Sequence, residues 1–170
     1  MISIQSERKG IELVPRRKQA VIENLMQLYL YDFTKYLDIS VNDKGLFPPY
    51  PDLDDFWKKR DRKFPFLIKY DGRPAGFALI ERVTDDPKAD YYMTEFFIMQ
   101  RYRRSRLGTW AATRLFDQFQ GRWKVTQVSI NFPAQAFWRK VIEAYTGGKY
   151  EEVIESPHNN PSQYFQSKLY

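Results

Sequence analysis

The spacing of hydrophobic residues predicts a strand and two helices in the first third of the chain. Residues 8–17 are typical of a strand that Pro15 ends. Over residues 18–37, apolar side chains recur every three or four positions, which is the period of an amphipathic helix. After a proline-containing loop, residues 52–63 are expected to form a shorter helix, with Asp52 near its N-cap.

A block of strands follows these helices. Residues 64–70 and 73–83 flank Asp71-Gly72, a dipeptide that favours a tight hairpin turn. Residues 91–99 carry a further apolar run and are predicted as the next strand. Strands joined by so short a turn must pair antiparallel.

The second half of the chain alternates between helical and strand patterns. Helical spacing over residues 108–119 and 133–145 brackets a strand over residues 123–130. Gly147-Gly148 is expected to stop the second of these helices.

Residues 150–155 and 162–170 are predicted as two closing strands around a Pro-Asn loop. Because β-α-β crossovers need parallel pairing, the element order predicts an α/β (α+β) fold. We expect a mixed central sheet of about seven strands, with helices on both faces.

Composition narrows the possible function classes. At 170 residues, 43% of them hydrophobic, the chain is expected to be one domain over residues 1–170. It has no cysteine and a single histidine, which excludes thiol nucleophiles and argues against a metal site. No apolar run reaches the roughly 20 residues of a membrane helix, and the N-terminus lacks a secretory signal core. We therefore expect no membrane association and a cytoplasmic protein, either a monomer or a homodimer.

Four arginines stand between a predicted strand and a predicted helix. Arg101, Arg103, Arg104 and Arg106 fall within six residues, and Gly108 follows them. A helix N-terminus binds phosphate readily through its unpaired N–H groups and its dipole, and glycine lets an anion approach the backbone closely. A solvated basic loop is the alternative. The net charge of +6 favours anionic partners without choosing between nucleic acid and a phosphorylated cofactor.

This stretch resembles the cofactor-binding motif of the GCN5-related N-acetyltransferases. In that motif Gln or Arg is followed by two residues, Gly, one residue, and then Gly or Ala. Arg103 and Gly108 match the two ends, whereas Arg106 replaces the middle glycine and is a candidate for positive φ. The resemblance extends to the next β-α unit, where the matching positions are Asn131, Ala134, Phe137 and Trp138.

The resemblance implies acetyl-CoA as co-substrate, in a cleft where the fourth and fifth predicted strands, both parallel, splay apart. Pantetheine would pair with the backbone of Phe97, Ile98 and Met99 as an added strand does. Asn131 would bond the pantetheine arm, cap the last helix, or do both, and Phe137 is expected in the cofactor site. The pyrophosphate would lie on the amides of Arg103, Arg104, Ser105, Arg106, Leu107, Gly108 and Thr109.

An alkyl amine has a pKa of roughly 10, so an amine acceptor needs a group that removes its proton. The resemblance implies a catalytic carboxylate on the fourth strand, and Glu95 stands there; a structural or substrate-orienting role is the alternative. Many relatives carry a Tyr general acid in the aromatic pair of the last helix. Trp138 occupies that place and is too weak an acid, which leaves water or the attacking amine to protonate the thiolate.

The implied function is N-acetyl transfer from acetyl-CoA to a primary amine, by direct attack through a tetrahedral intermediate and without a metal. Aromatic and acidic side chains on the first helices and their loop suit a cationic acceptor. An acid cluster at a helix start explains the aspartates without any substrate. The aromatic and acidic side chains considered for the acceptor are Tyr29, Tyr31, Tyr36, Phe47, Tyr50, Asp52, Asp54 and Asp55.

Two binding modules are rival interpretations. A non-catalytic acyl-CoA-binding or sensor protein would keep the same fold, and Arg106 and Trp138 keep this alternative open. A nucleic-acid binder would use the arginine cluster with residues 58–63, but acidic runs at 52–55 and 85–90 interrupt that surface. Steep salt dependence of binding to mixed DNA or RNA would identify the second module.

Overall fold

The computed structural model describes residues 2–168, which form two compact units. Unit 1 comprises the residues up to Leu79 together with Glu95–Leu107, and unit 2 comprises Ile80–Thr94 and the residues from Gly108 onward. The single domain expected over residues 1–170 stays a prediction. Leu169 and Tyr170, at the end of the last predicted strand, lie outside the described residues.

Four α-helices, two short 3-10 helices and eight strands lie within residues 2–168. The helices are α1 (Gln19–Phe33), α2 (Asp55–Lys58), α3 (Leu107–Gln118) and α4 (Phe132–Thr146). The strands are β1 (Ser3–Gln5), β2 (Lys9–Leu13), β3 (Lys63–Tyr70), β4 (Arg73–Arg82), β5 (Tyr91–Ile98), β6 (Arg122–Thr126), β7 (Tyr150–Glu155) and β8 (Asn160–Gln166). No helix of this part of the chain is long and apolar enough to cross a membrane.

The strands form one open mixed sheet in the order β1-β2-β3-β4-β5-β6-β8-β7, so the α/β fold class is confirmed. Unit 1 holds β1 to β3, unit 2 holds β6 to β8, and β4 and β5 run through both units. Strands β5 and β6 pair parallel, in a register that joins Tyr91 to Trp123 and Met93 to Val125. Strands β7 and β8 pair antiparallel, as expected.

Unit 1 buries the apolar face of α1 against its strands. Ile22, Leu25 and Met26 of the helix share one cluster with Phe77 of β4 and Phe97 of β5. Burying a side chain of this size stabilises the fold by about 1.5–3 kcal/mol. This packing fixes α1 beside the strand that carries Glu95.

Unit 2 is built around Phe116 of α3. Its ring lies 4.9 Å from that of Trp123 and 4.8 Å from that of Phe165, both in edge-to-face geometry. Helix α4 ends at Thr146 and is followed by Gly147, which adopts the left-handed conformation, so the predicted stop is confirmed. The aromatic side chains thus join α3 to β6 and β8 within the unit.

Three elements differ from the sequence-based prediction. The sheet has eight strands because the three-residue β1 pairs with β2, and so short a segment has no readable period. Helix α2 has only four residues; its N-cap is Asp54, and Asp52 lies two residues before that N-cap in the left-handed region, with φ 56°. Strand β6 ends at Thr126, after which the N–H of Gln127 donates to the Pro161 carbonyl.

Candidate active site

Glu95 on β5 accepts hydrogen bonds from two tyrosines of unit 1. The Tyr50 hydroxyl donates to Oε1 at 2.7 Å, and the Tyr29 hydroxyl donates to Oε2. Hydrogen bonds donated to a carboxylate favour its ionised form. The two hydrogen bonds therefore hold the Glu95 carboxylate in a fixed orientation.

Aromatic rings surround the Tyr29 end of this arrangement. The Tyr29 ring lies 4.7 Å from Phe33, 5.5 Å from Phe77 and 5.4 Å from Phe97, measured between centroids. Burial, followed by the charge of Glu95, raises the pKa of Tyr29 well above its ordinary value. Tyr29 thus stays protonated at neutral pH and keeps donating to the carboxylate.

Tyr50 comes from the irregular segment 34–54 that follows α1. The side chain of Gln27 holds this segment on both sides of one residue, accepting from the Phe47 N–H at 2.8 Å and donating to the Phe47 carbonyl at 3.2 Å. Tyr50 itself packs against the apolar core of unit 1. The segment 34–54 is therefore held by hydrogen bonds at Phe47 and by apolar packing at Tyr50.

The arginine turn, Arg103 to Leu107, contains two left-handed residues. Arg104 has φ 70° and Arg106 has φ 61°, so the positive φ considered for Arg106 is confirmed. Leu107 then begins α3. A left-handed residue followed by a helical one turns consecutive N–H groups toward the same side, which is the geometry of an anion-binding nest. Strain of about 1–3 kcal/mol per residue in this conformation is typical of functional sites.

The arginines of the turn divide into two groups. Arg103 is committed to unit 1: its Nε donates to the Ile98 carbonyl at 2.8 Å, and its guanidinium pairs with Asp32 on α1. Arg104 and Arg106 are exposed and make no ion pair within residues 2–168. Arg103 therefore supports the turn, and the other two present their charge to solvent.

The backbone proposed for pantetheine binding lies at the end of β5. The Met99 N–H donates to the Ala75 carbonyl at 2.9 Å, and the Ile98 carbonyl is the acceptor of Arg103. The Phe97 carbonyl faces Gly76, where an added Cβ would lie only 2.0 Å from its oxygen. Only glycine fits at position 76, because the neighbouring atoms belong to the backbone.

The other predicted cofactor residues belong to unit 2. Gly108 and Thr109 lie in the first turn of α3, and Thr109 is exposed. The side chain of Asn131 accepts from the Ala134 N–H at 3.1 Å, so its predicted role as N-cap of α4 is confirmed. Phe137 is half-buried, and its ring packs 5.0 Å from that of Trp138.

The aspartates considered for an acceptor have local partners. Asp54 pairs with Lys58 at 2.7 Å and with Arg16 at 3.1 Å, and Asp55 pairs with Lys59 at 2.7 Å. These pairs favour the interpretation of a helix-start acid cluster. Within residues 2–168, no three His, Asp or Glu side chains come together as a metal site.

The hydrogen bond between Tyr29 and Glu95 was not predicted, although the sequence indicates that Tyr29 is buried and needs a partner. Tyr29 follows Ile22, Leu25 and Met26 on the apolar face of α1, which places its hydroxyl toward the core. A buried phenol needs a hydrogen-bond partner. The identity of that partner, 66 residues away, is not encoded in any local pattern.

Solved structures share this fold over nearly the whole chain. An acetyltransferase from Thermus thermophilus has a TM-score of 0.67 and 14% identity, with 96% of this chain and 99% of that chain covered. A ribosomal L7/L12 α-N-protein acetyltransferase in complex with coenzyme A has a TM-score of 0.66 and 10% identity, with 98% of both chains covered. A ribosomal-protein-S18-alanine N-acetyltransferase from Escherichia coli has a TM-score of 0.59 and 12% identity, with coverage of 95% and 96%.

Sequence comparison gives a family but no individual relative. A search of curated proteins finds no match. The model of the acetyltransferase (GNAT) family matches residues 22–142, a range that includes most of α1, the Glu95 strand, the arginine turn and most of α4. Since this match covers more than half of the chain, the protein belongs to the GNAT acetyltransferase family.

Proposed function

We propose that the protein transfers an acetyl group from acetyl-CoA to a primary amine, by direct attack of the amine on the thioester carbonyl. The observation that carries this proposal is the segment Glu95–Leu107 of unit 1. It combines a carboxylate held by two phenols with a left-handed arginine turn at the start of a helix. Family membership favours an enzyme over the alternative of a non-catalytic acyl-CoA-binding or sensor protein.

The arginine turn is the proposed pyrophosphate site. Its N–H groups at Arg106 and Leu107, the first helical amides at Gly108 and Thr109, and the exposed guanidinium of Arg104 supply hydrogen bonds and positive charge. Pantetheine would follow the end of β5 at Phe97 to Met99. Asn131 and Phe137 remain proposed contacts of the cofactor.

Glu95 is the proposed base. The Glu95 carboxylate takes one proton from the ammonium group, directly or through a water, and the free amine nitrogen then forms a bond to the acetyl carbonyl carbon. Collapse of the tetrahedral intermediate breaks the C–S bond and expels the thiolate of CoA, which takes the second proton from the nitrogen, directly or through water. A thiol pKa near 8.5 lets the thiolate leave without a dedicated acid.

The acceptor is proposed to approach Glu95 as a cationic amine. The Glu95 carboxylate offers an ion pair, and the half-buried ring of Tyr50 beside it offers cation–π contact. Two of the structural neighbours act on ribosomal proteins, one of them at an alanine. Peptides with a free α-amino group are therefore tested beside small amines.

The experiment is a mass-spectrometric screen. Acetyl-CoA is incubated with pooled polyamines, aminosugars and peptides that begin with Ala, Ser or Met, and both CoA release and the appearance of acetylated products are scored. Thermal melts with and without acetyl-CoA run in parallel, since a ligand at 100-fold excess over its Kd adds about 2.7 kcal/mol of stability. Binding without turnover of any pool would favour the sensor alternative; absence of both would refute the proposal.

A further inference from the structure

Asp32 is a carboxylate at a position of α1 that the helix itself does not favour. It lies in the last turn of α1, where the negative end of the helix dipole disfavours an anion. Its side chain is only 21% exposed, and the nearest cation of its own helix end, the exposed ammonium of Lys35, is 3.9 Å away. The close partner of Asp32 comes from outside the helix and is Arg103 of the arginine turn.

Arg103 joins three parts of unit 1. Its guanidinium pairs with Asp32, its Nε donates to the Ile98 carbonyl at 2.8 Å, and its charge lies 5.8 Å from the centre of the Phe97 ring. A guanidinium can hold several acceptors at once because its donors are fixed in one plane. These contacts tie the first residue of the arginine turn to the end of β5 and to α1.

The turn that Arg103 begins has a costly backbone conformation. Arg104 and Arg106 are both left-handed, and residues in this conformation persist only where the surrounding structure holds them. The Ser105 hydroxyl donates to the Tyr102 carbonyl, which is a bond local to the turn. The contacts of Arg103, in contrast, reach the helix and the strand on either side of the turn, so they fix its position in unit 1.

We propose that Asp32 is a positioning residue for the cofactor: through Arg103, it holds the arginine turn in the conformation that binds pyrophosphate. Asp32 acts on the turn and needs no contact with the cofactor. The effect on cofactor affinity rests on the proposed function, whereas the ordering of the turn does not.

The sign of the effect on binding separates positioning from simple electrostatics. Asp32→Asn removes a negative charge close to a site for an anion, so charge alone predicts tighter binding of acetyl-CoA. Positioning predicts the opposite. Without its counter-ion Arg103 holds the turn less firmly, and a turn that is correctly formed in fewer molecules binds its ligand more weakly.

The test measures the acetyl-CoA affinity of the full chain by calorimetry. We expect Asp32→Asn to raise the Kd about fivefold, the upper range for a partly exposed ion pair. The control Asp38→Asn removes the same charge from an exposed residue of unit 1 and should leave the Kd unchanged or slightly lower. In an Arg103→Gln background, Asp32→Asn should raise the Kd no further, because the guanidinium through which it acts is missing. Unchanged or tighter binding by Asp32→Asn alone, or an equal rise in both backgrounds, would overturn the proposal.

NMR relaxation of the ligand-free protein tests the turn without any cofactor. We expect the amides of residues 104–107 to gain motion in Asp32→Asn, either as lower order parameters or as new relaxation dispersion, and to keep the parent's values in Asp38→Asn. Added motion in the variant of a parent that binds no acetyl-CoA would support the role of Asp32 and refute the proposed function. Absence of added motion in Asp32→Asn would overturn the role of Asp32, whatever the parent binds.

Discussion

The hydroxyl of Tyr50 lies 2.7 Å from Oε1 of Glu95 and donates a hydrogen bond to it. Tyr50 stands near the end of the irregular segment 34–54, and Glu95 lies in the middle of β5. Irregular segments of this length are uncommon in compact domains, and most of them are either functional or linkers. The contact means that the orientation of the carboxylate and the position of the loop depend on each other.

Tyr50→Phe removes this hydrogen bond and keeps the ring. We expect kcat/KM to fall about tenfold, the equivalent of one hydrogen bond to a charged group. The acidic limb of the kcat/KM–pH profile should move to higher pH, because a carboxylate that loses a donor is protonated more easily. Tyr150→Phe, on a half-buried side chain of β7 that is not part of the candidate site, is the control and should leave the profile in place. A profile unchanged by Tyr50→Phe would mean that Tyr50 does not act through Glu95.

Local sequence patterns were sufficient to predict much of the fold. The hairpin at Asp71-Gly72 is confirmed, with positive φ at both residues, because two adjacent residues specify that turn. The helix predicted over residues 52–63 rested on the acids at its start, whereas the observed helix α2 has four residues and buries only Phe56 and Trp57. Propensity without a buried face does not sustain a helix.

The candidate site was predictable only in part. The arginine turn is contiguous, and its strand–turn–helix context could be read directly from the sequence. The Arg103–Asp32 pair joins residues 71 positions apart, and the contacts of Glu95 are similarly distant. Such pairs depend on how α1 packs against β5, and hydrophobic periodicity gives the buried face of a helix but not the side chain that it meets.

Gly76→Ala should destabilise the protein and weaken acetyl-CoA binding. The new Cβ would lie 2.0 Å from the Phe97 oxygen and 3.0 Å from its carbonyl carbon, so β5 must shift where pantetheine is proposed to bind. We expect a loss of about 1–3 kcal/mol in the free energy of unfolding, the usual cost of overpacking. Denaturant titration measures it. Gly10→Ala is the control, since its nearest neighbour would be 3.7 Å away; equal effects of the two substitutions would contradict the close approach.

Asp90 should contribute pH-dependent stability to unit 2. Hydrogen bonds from the Arg122 side chain and then from its backbone N–H lower the pKa of Asp90. A carboxyl with a lowered pKa stabilises the fold above its unfolded pKa of about 3.9, and this contribution is lost as pH falls through the folded pKa. The free energy of unfolding of the parent should therefore exceed that of Asp90→Asn above about pH 4, and the difference should shrink at lower pH. In an Arg122→Gln background, where the backbone N–H still donates, the pH dependence of this difference should shrink without vanishing; an unchanged pH dependence there would show that the Arg122 side chain is not the main cause.

Gly108→Val should weaken acetyl-CoA binding while the protein still folds. Gly108 lies in the first turn of α3, where valine is tolerated slightly better than glycine. A branched side chain would occupy the space through which phosphate reaches the first amides of the helix. Calorimetry should show at least a tenfold rise in Kd, with a smaller rise for Gly108→Ala, and a thermal melt checks folding. Parent-like affinity in a folded Gly108→Val protein would place the pyrophosphate elsewhere.

Glu95→Gln tests the proposed base. The amide keeps the shape of the carboxylate and accepts at one oxygen from a phenol, but it cannot take a proton. We expect kcat to fall by roughly 10² or more, the usual scale for loss of a general base, and acetyl-CoA affinity to change little. High pH should restore part of the rate, because an amine that is already deprotonated needs no base.

The same variant separates the other roles of Glu95. If the carboxylate only orients the acceptor, Glu95→Gln should raise the KM for the amine, and high pH should not restore the rate. If Glu95 is purely structural, Glu95→Gln should lower the melting temperature and leave the kinetics normal. The reason is that the phenols of Tyr29 and Tyr50 would lose a charged acceptor. Glu23→Gln removes an equal charge from an exposed position of α1 and should be kinetically silent. Parent-like turnover of Glu95→Gln at neutral pH would assign proton removal to water or to another residue.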